Sequence, residues 1–396
     1  MFKVIDTDSH VYESEATFSD KYWDPKFKDQ RPIVIEADSF GSLAWLIDSR
    51  TFPIRSGPGQ KLGGTPASKG GVPSLQQRNK VHDPLDSSEF HNAAARLAIM
   101  DRENVAIQVN FPTMLLSWPL TYTPGLGGAV ARAYNSWMAD ISSQAPDRLK
   151  WVTVIDPTDP EEAAKEIYRT KELGSVGVMV QGMLGNRHVD DPIFEPIWRA
   201  TAETNQTMCV HVGFSCPALD DLYDTSTDTT TVPFVFPILM AFHRIMAKGL
   251  LDKYPDLRVG FFEAGCQWVP FMVERIEENS PAAHRTTADR SLGGASAISR
   301  GGVSRGYFGK LGPEEYIKDG RVFVGFEVDE PMLPAVIKEY GDHFLFYAAD
   351  IPHAHRMADA TKHFESRTDI SEEAKRKLLI DNGAKVFGLE IPSASL

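Results

Sequence analysis

The 396-residue chain predicts a (β/α)₈ barrel, and three features point there. Short β-branched apolar runs alternate with longer amphipathic stretches, the pattern of parallel βα units. The first run, residues 1–5, leads straight into Asp6-Thr-Asp8-Ser-His10, whose i, i+2 spacing puts Asp8 and His10 on one face of a strand. Carboxylates and histidines then recur just past later apolar runs, the end of a barrel strand that carries chemistry. A doubly wound open sheet is the rival architecture, because strand count alone does not separate the two.

In chain order, strands are predicted near 2–8, 105–111, 150–155, 176–180, 207–211, 257–262, 321–326 and 344–348. Helices are predicted over 88–103, 125–145, 159–173, 191–204, 235–253, 264–279, 331–340 and 355–366, which completes eight pairs. Asp159-Pro160-Glu161-Glu162 reads as a helix start, with a cap, a proline and acidic residues in the first turn. Ser371 opens a last helix, to about residue 386, that would close over the barrel. Two irregular insertions interrupt the rhythm near 56–74 and 284–312, the second carrying Arg285, Arg290, Arg300 and Arg305. Such segments are lids, partner contacts or plain surface loops. No solenoid-length repeat is evident, so 1–396 reads as a single domain.

Composition narrows the function classes. The chain is 42% hydrophobic and 24% charged, an ordinary globular balance. A net charge of −13 disfavours nucleic acid and anionic membrane as partners. No membrane-spanning apolar run or signal-peptide order is read, and Cys209, Cys216 and Cys266 are too few for a disulfide framework. The expectation is a cytoplasmic protein with a small-molecule substrate, free to form a homo- or hetero-oligomer through its exposed helices and insertions.

The residues with chemistry lie at strand ends. His211 closes the fifth strand, Glu263 follows the sixth, and Asp350 follows the eighth with His353 and His355 behind it. Singly, each has a plainer reading: His353 as a helix cap after Pro352, Glu263 as a partner of Arg275. Together, Asp8, His10, His211, Glu263 and Asp350 are the types that a metal or acid–base site requires at one barrel mouth. Mixed nitrogen and oxygen donors suit Zn, Mn or Fe, and no cysteine pairs indicate a structural thiolate site.

At this point the chain resembles the amidohydrolase superfamily, in the amidohydrolase-2 branch that includes aminocarboxymuconate-semialdehyde decarboxylase. The resemblance runs nearly end to end. It rests on Ile5-Asp-Thr-Asp8-Ser-His10, Tyr134-Asn135-Ser-Trp137, Pro146-Asp-Arg148-Leu and Val210-His211-Val-Gly213. It continues through Pro255-Asp-Leu-Arg258, Glu263-Ala-Gly265-Cys-Gln-Trp268, Tyr347-Ala-Ala-Asp350-Ile-Pro352-His353 and Asn382-Gly-Ala-Lys-Val-Phe387. The resemblance implies a divalent metal on Asp8, His10, His211 and Asp350. Decarboxylase members carry His-X-His on the first strand and a catalytic histidine on the sixth. Here Asp8 and Glu263 stand at those positions, which makes the site richer in carboxylate and shifts it toward harder ions.

Two mechanisms fit one such site. In the first, a metal-dependent hydrolase or lyase acts on a small carbonyl- or carboxyl-containing molecule. Its metal activates water or polarises substrate, Asp350 or Glu263 serves as base, and His353 orients or donates a proton. In the second, Glu263 bridges two Fe or Mn ions, completed by Glu13, His353 or His355, and the pair activates O₂. A third reading is a non-catalytic scaffold subunit. Weaker signals read as structure: Pro124-Gly125-Leu126-Gly127-Gly128 as a turn before a helix, and His243 as a position on an amphipathic helix. Trp118, Pro119, Phe214 and Trp268 are candidate pocket walls or packing residues.

Overall fold

The computed structural model of the chain describes residues 3–37, 42–53, 93–117, 121–224, 226–278, 309–353 and 359–391. Eight parallel strands follow one another in chain order around one sheet. They are β1 (Val4–Val11), β2 (Val105–Pro112), β3 (Leu149–Val154), β4 (Gly177–Gln181), β5 (Thr207–His211), β6 (Val259–Phe262), β7 (Val322–Phe326) and β8 (Leu345–Tyr347). Across the seam between β1 and β8, His10 N–H donates to the Ile351 carbonyl at 2.6 Å and Asp350 N–H to that of Asp8 at 2.9 Å. The sheet is thereby nearly closed into a barrel, and the open-sheet alternative falls away.

Each strand is followed by a helix: α1 (Ala93–Arg102), α2 (Leu126–Ser142), α3 (Pro160–Glu172), α4 (Glu195–Glu203), α5 (Phe236–Ala247), α6 (Val269–Glu277), α7 (Leu333–Tyr340) and α8 (Ala360–Glu365). Their apolar stripes set the packing; α2 buries Leu126, Ala129, Val130, Ala133, Tyr134, Trp137 and Met138 at helical spacing. The Asp159 side chain accepts Glu162 N–H at 3.2 Å and caps α3 as its sequence predicts. Strand alternation separates two cores. Met208 and Val210 pack with helix residues such as Ile238 and Phe242, whereas Cys209 packs with Phe111, Met179, Phe262 and Phe346.

Several elements depart from expectation. A three-stranded antiparallel sheet (Ile33–Ala37, Ser42–Ile47, Arg50–Pro53) follows β1. Its tight turn at Asp48–Ser49 has both φ values positive, 50° and 61°, as a two-residue hairpin requires. The helix predicted over 235–253 is two pieces, because Gly249 turns left-handed at φ 66° between α5 and Leu250–Lys253. The stretch Asp228–Ala247 is, by length and composition, long and apolar enough to cross a membrane, which corrects the sequence reading. Its Ile238, Ala241, Phe242, Ile245 and Met246 are buried in the helix–sheet core. Residues 372–387 plug the end of the barrel opposite the strand C-termini. There the Val386 carbonyl accepts from Thr207 Oγ1 and from Arg258 Nε. The insertion at 56–74 and nearly all of 284–312 lie outside the described residues.

Candidate metal centre

Strand geometry brings the predicted residues to one point. Asp8 and His10 lie on β1, His211 ends β5, Glu263 follows β6 and Asp350 follows β8. His10 Nε2 lies 3.4 Å from Asp8 Oδ1, 3.6 Å from Glu263 Oε2 and 3.3 Å from Asp350 Oδ1. His211 Nε2 lies 3.4 Å from Asp8 Oδ1 and 3.5 Å from Glu263 Oε2. Donor atoms of Asp8, His10, His211 and Glu263 fall within 4.8 Å of one another, as do those of His10, Glu263, Asp350 and His353.

Three observations fit a cation at this point. Nδ1 of His10 is 2.7 Å from the Pro112 carbonyl and Nδ1 of His211 is 2.9 Å from that of Val212. Each carbonyl holds a proton on Nδ1, so Nε2 is the nitrogen that faces the centre and binds a cation once any proton on it is displaced. Both Asp8 carboxylate oxygens and both Nε2 atoms are buried with no hydrogen-bond partner, a costly state unless something charged sits among them. The electrostatics agree. Burial would lower the His10 pKa, but the neighbouring Glu263, Asp8 and Asp350 carboxylates outweigh it and push it up to about 10. His211 is raised too, Asp8 and Glu263 overcoming its burial. Burial and Asp350 would raise the Glu263 pKa, yet the two imidazoles hold it low. The centre therefore attracts positive charge, over an aromatic floor of Phe111 and Phe262 at 5.1 and 6.2 Å from the His211 ring.

Two of the carboxylates hang from unusual backbone. Glu263 has φ 59° and Asp350 φ 52°, the left-handed region that non-glycine residues occupy only when their surroundings hold them. His353 stacks on His10 with ring centroids 4.0 Å apart; its Nδ1 is 2.7 Å from Asp350 Oδ1 and its Nε2 3.1 Å from Thr113 Oγ1. Burial lowers its pKa and keeps it a neutral donor to Asp350.

Residues that the sequence reading passed over support this layer from below. Asp6, two before Asp8, accepts from Ser9 Oγ, Gln108 Nε2 and the Ala349 N–H at 2.5, 2.9 and 3.0 Å. Burial raises its pKa to about 6. Buried Arg96 of α1 donates to Gln108, Asn110 and the His10 carbonyl. The i−2 position of Asp6 was a usable signal; Arg96 gave none. Glu13 accepts the backbone N–H groups of Thr113, Met114 and Leu115 at 3.3, 2.8 and 3.3 Å, so it anchors a turn, and the two-metal alternative finds no support in it. His355, Trp118 and Pro119 lie outside the described residues. Arg275 pairs with Glu278 at 2.5 Å, Phe214 packs on Phe234, and Trp268 packs on Phe242 and Phe261.

A metal-cradling barrel of this construction defines a class, and comparison with known proteins gives the family. A family model described as Amidohydrolase matches residues 72–389, and the chain belongs to that family. It is 28% identical over 159 residues to a gamma-resorcylate decarboxylase of Polaromonas, covering 38% of this chain and 48% of the relative. It is 26% identical over 215 residues to a gamma-resorcylate decarboxylase of Rhodococcus jostii, covering 50% and 63%. The chain thus spans about half to two thirds of the length of these relatives. Its fold matches the crystal structure of 5-carboxyvanillate decarboxylase from Novosphingobium aromaticivorans, with TM-score 0.66, 21% identity and coverage of 98% and 96%. That structure holds manganese and 4-hydroxy-3-methoxy-5-nitrobenzoic acid.

Proposed function

We propose that this chain is a metal-dependent lyase that removes CO₂ from a small aromatic carboxylate. The carrying observation is the convergence of Asp8, His10, His211, Glu263 and Asp350 on one buried point at which two imidazole nitrogens are aimed. The relatives support the substrate class, since their names specify carboxylated aromatic molecules.

Asp8, His10, His211 and Asp350 would hold a divalent cation, with Glu263 as a further ligand or a base. Manganese is the first ion to load, ahead of zinc and iron, given the carboxylate-rich donor set. Bound there, the cation supplies positive charge that steadies electron density building on a substrate oxygen. When the bond to the carboxyl group breaks, its electron pair stays on the ring carbon, CO₂ departs, and that carbon takes up one proton. Asp350, once it has taken a proton from solvent, is placed to deliver it, with His353 at 2.7 Å and Thr113 beyond. Glu263, with its pKa held low, stays ionised and orients the substrate or takes a proton from it. That ionised carboxylate also favours a second reading, hydrolysis of a small ester, lactone or amide with Glu263 as base toward water.

The test is CO₂ release from gamma-resorcylate and 5-carboxyvanillate by manganese-loaded protein. Release that drops about 10²-fold or more in Asp350→Asn supports the lyase. Ester or amide hydrolysis without CO₂ release overturns it in favour of the second reading, and no turnover with no metal uptake leaves the scaffold.

A further inference from the structure

The turn that carries Glu263 is gripped from behind by a second carboxylate. Glu330, in the loop after β7, is 5% exposed. Its Oε1 accepts the backbone N–H of Cys266 at 2.8 Å and of Gln267 at 3.3 Å, and its Oε2 accepts that of Glu327 at 3.0 Å. The loop is seated in turn by Arg367, whose Nη1 donates to the carbonyls of Val328 and Glu330 at 2.9 and 3.0 Å. Gly265 lies between Glu263 and the gripped amides with φ 63°, and a Cβ there would stand 2.5 Å from Glu330 Oε1. Trp268 Nε1 closes the turn on the Gly265 carbonyl at 2.7 Å.

We propose that Glu330 is a positioning residue that holds Glu263 against His10 and His211; the inference rests on the reading of Glu263 as part of the metal centre. Glu263 keeps a left-handed backbone that it would leave if its neighbours released it. Three and four residues downstream, the Glu330 carboxylate anchors the turn through charge-assisted bonds to successive amides. Without that carboxylate the amides of 266 and 267 lose their acceptor, the turn relaxes, and the Glu263 carboxylate swings from its place 3.5 Å from the His211 nitrogen. Gly265 is the second half of the device, since only a residue without a side chain lets the carboxylate approach this closely.

The experiment uses the full chain with Mn²⁺ as probe, in Glu263→Gln, Glu330→Ala, Glu330→Gln and Gly265→Ala, reading Mn²⁺ affinity and the Mn²⁺ electron paramagnetic resonance spectrum beside thermal stability. Glu330→Ala and Gly265→Ala are expected to lower affinity about tenfold and to alter the spectrum as Glu263→Gln does. Glu330→Gln, which keeps one acceptor oxygen, restores part of the change. Wild-type spectrum and affinity in Glu330→Ala and Gly265→Ala, alongside a changed Glu263→Gln, overturns the positioning role alone. An unchanged Glu263→Gln overturns the reading of Glu263 and the positioning role with it. If Glu330→Ala does not fold, Gly265→Ala decides, because it adds one methyl group and removes no hydrogen-bonding group.

Discussion

A histidine that places its Nδ1 proton on a carbonyl has one nitrogen left to offer, and His10 and His211 are both in that state, facing Asp8. His211→Ala or Asp8→Ala should therefore remove metal and turnover together, with a loss of affinity well beyond tenfold; full metal loading in either variant would sink the ligand assignment. Protonation sets a second prediction. With its pKa near 10 in the metal-free protein, His10 carries a proton at neutral pH that an incoming cation must displace. Apparent affinity should rise about tenfold per pH unit up to pH 10, with at least about one proton released per metal at pH 7.5, measured by calorimetry in buffers of different ionisation enthalpy. No proton release would contradict it. The linked effect on the metal-free fold has a definite sign. A folded pKa raised above the ordinary 6.5 stabilises fully below that pH, and the stability is lost as pH climbs through about 10.

Among the elements, α1 does the least expected work, since it sends a buried guanidinium into the barrel wall. Arg96 satisfies the Gln108 and Asn110 side-chain oxygens and the His10 carbonyl at 2.8, 3.0 and 2.6 Å. Arg96→Met should cost about 3 kcal/mol or more in urea unfolding, because those acceptors stay buried without their charged donor; a cost below about 1 kcal/mol would show that water replaces it. Sequence legibility divides along the same line. The eight strands were readable because buried parallel strands are continuous apolar runs, and the centre was readable because Asp8, His10, His211 and Asp350 lie where those runs stop. The sheet over 33–53 was missed because its short alternation is interrupted by its own turn. Arg96 and Glu330 were missed for a deeper reason: the Arg96 partners lie 12 to 86 residues away and the amides that Glu330 holds behind Glu263 lie 63 to 64 away, and no local pattern of period 2 or 3.6 marks a contact made across the fold. Arg148 and Asn135 were noticed only as parts of motifs. Both turn out to tie elements together: Arg148, just before β3, holds the Val105 and Ala106 carbonyls of β2, and Asn135 on α2 bonds both backbone groups of Val154 in β3.

For the molecule as a whole, the weak line is the seam between β1 and β8, which the ladder of paired strands does not cross. It is closed by the His10 and Asp350 amides, by Thr7 Oγ1 on the Tyr347 carbonyl at 2.5 Å, and by Asp6 on the Ala349 amide. The proposed donor set straddles that seam, with Asp8 and His10 on one side and Asp350 on the other. A cation held by all three would tie the first and last strands together, so its binding energy becomes closure energy for the barrel. At a free concentration 100 times its Kd, it would stabilise the fold by about 2.7 kcal/mol, seen as a concentration-dependent rise in Tm that a chelator reverses. The rise should not be uniform along the chain. Amide exchange followed by mass spectrometry should show peptides spanning Thr7–His10 and Ala349–Ile351 losing protection first on metal removal, while the β3 and β4 peptides hold theirs. Equal loss in all strands would mean that the metal stabilises the barrel generally rather than at its seam, and unchanged exchange at the seam would place the metal elsewhere.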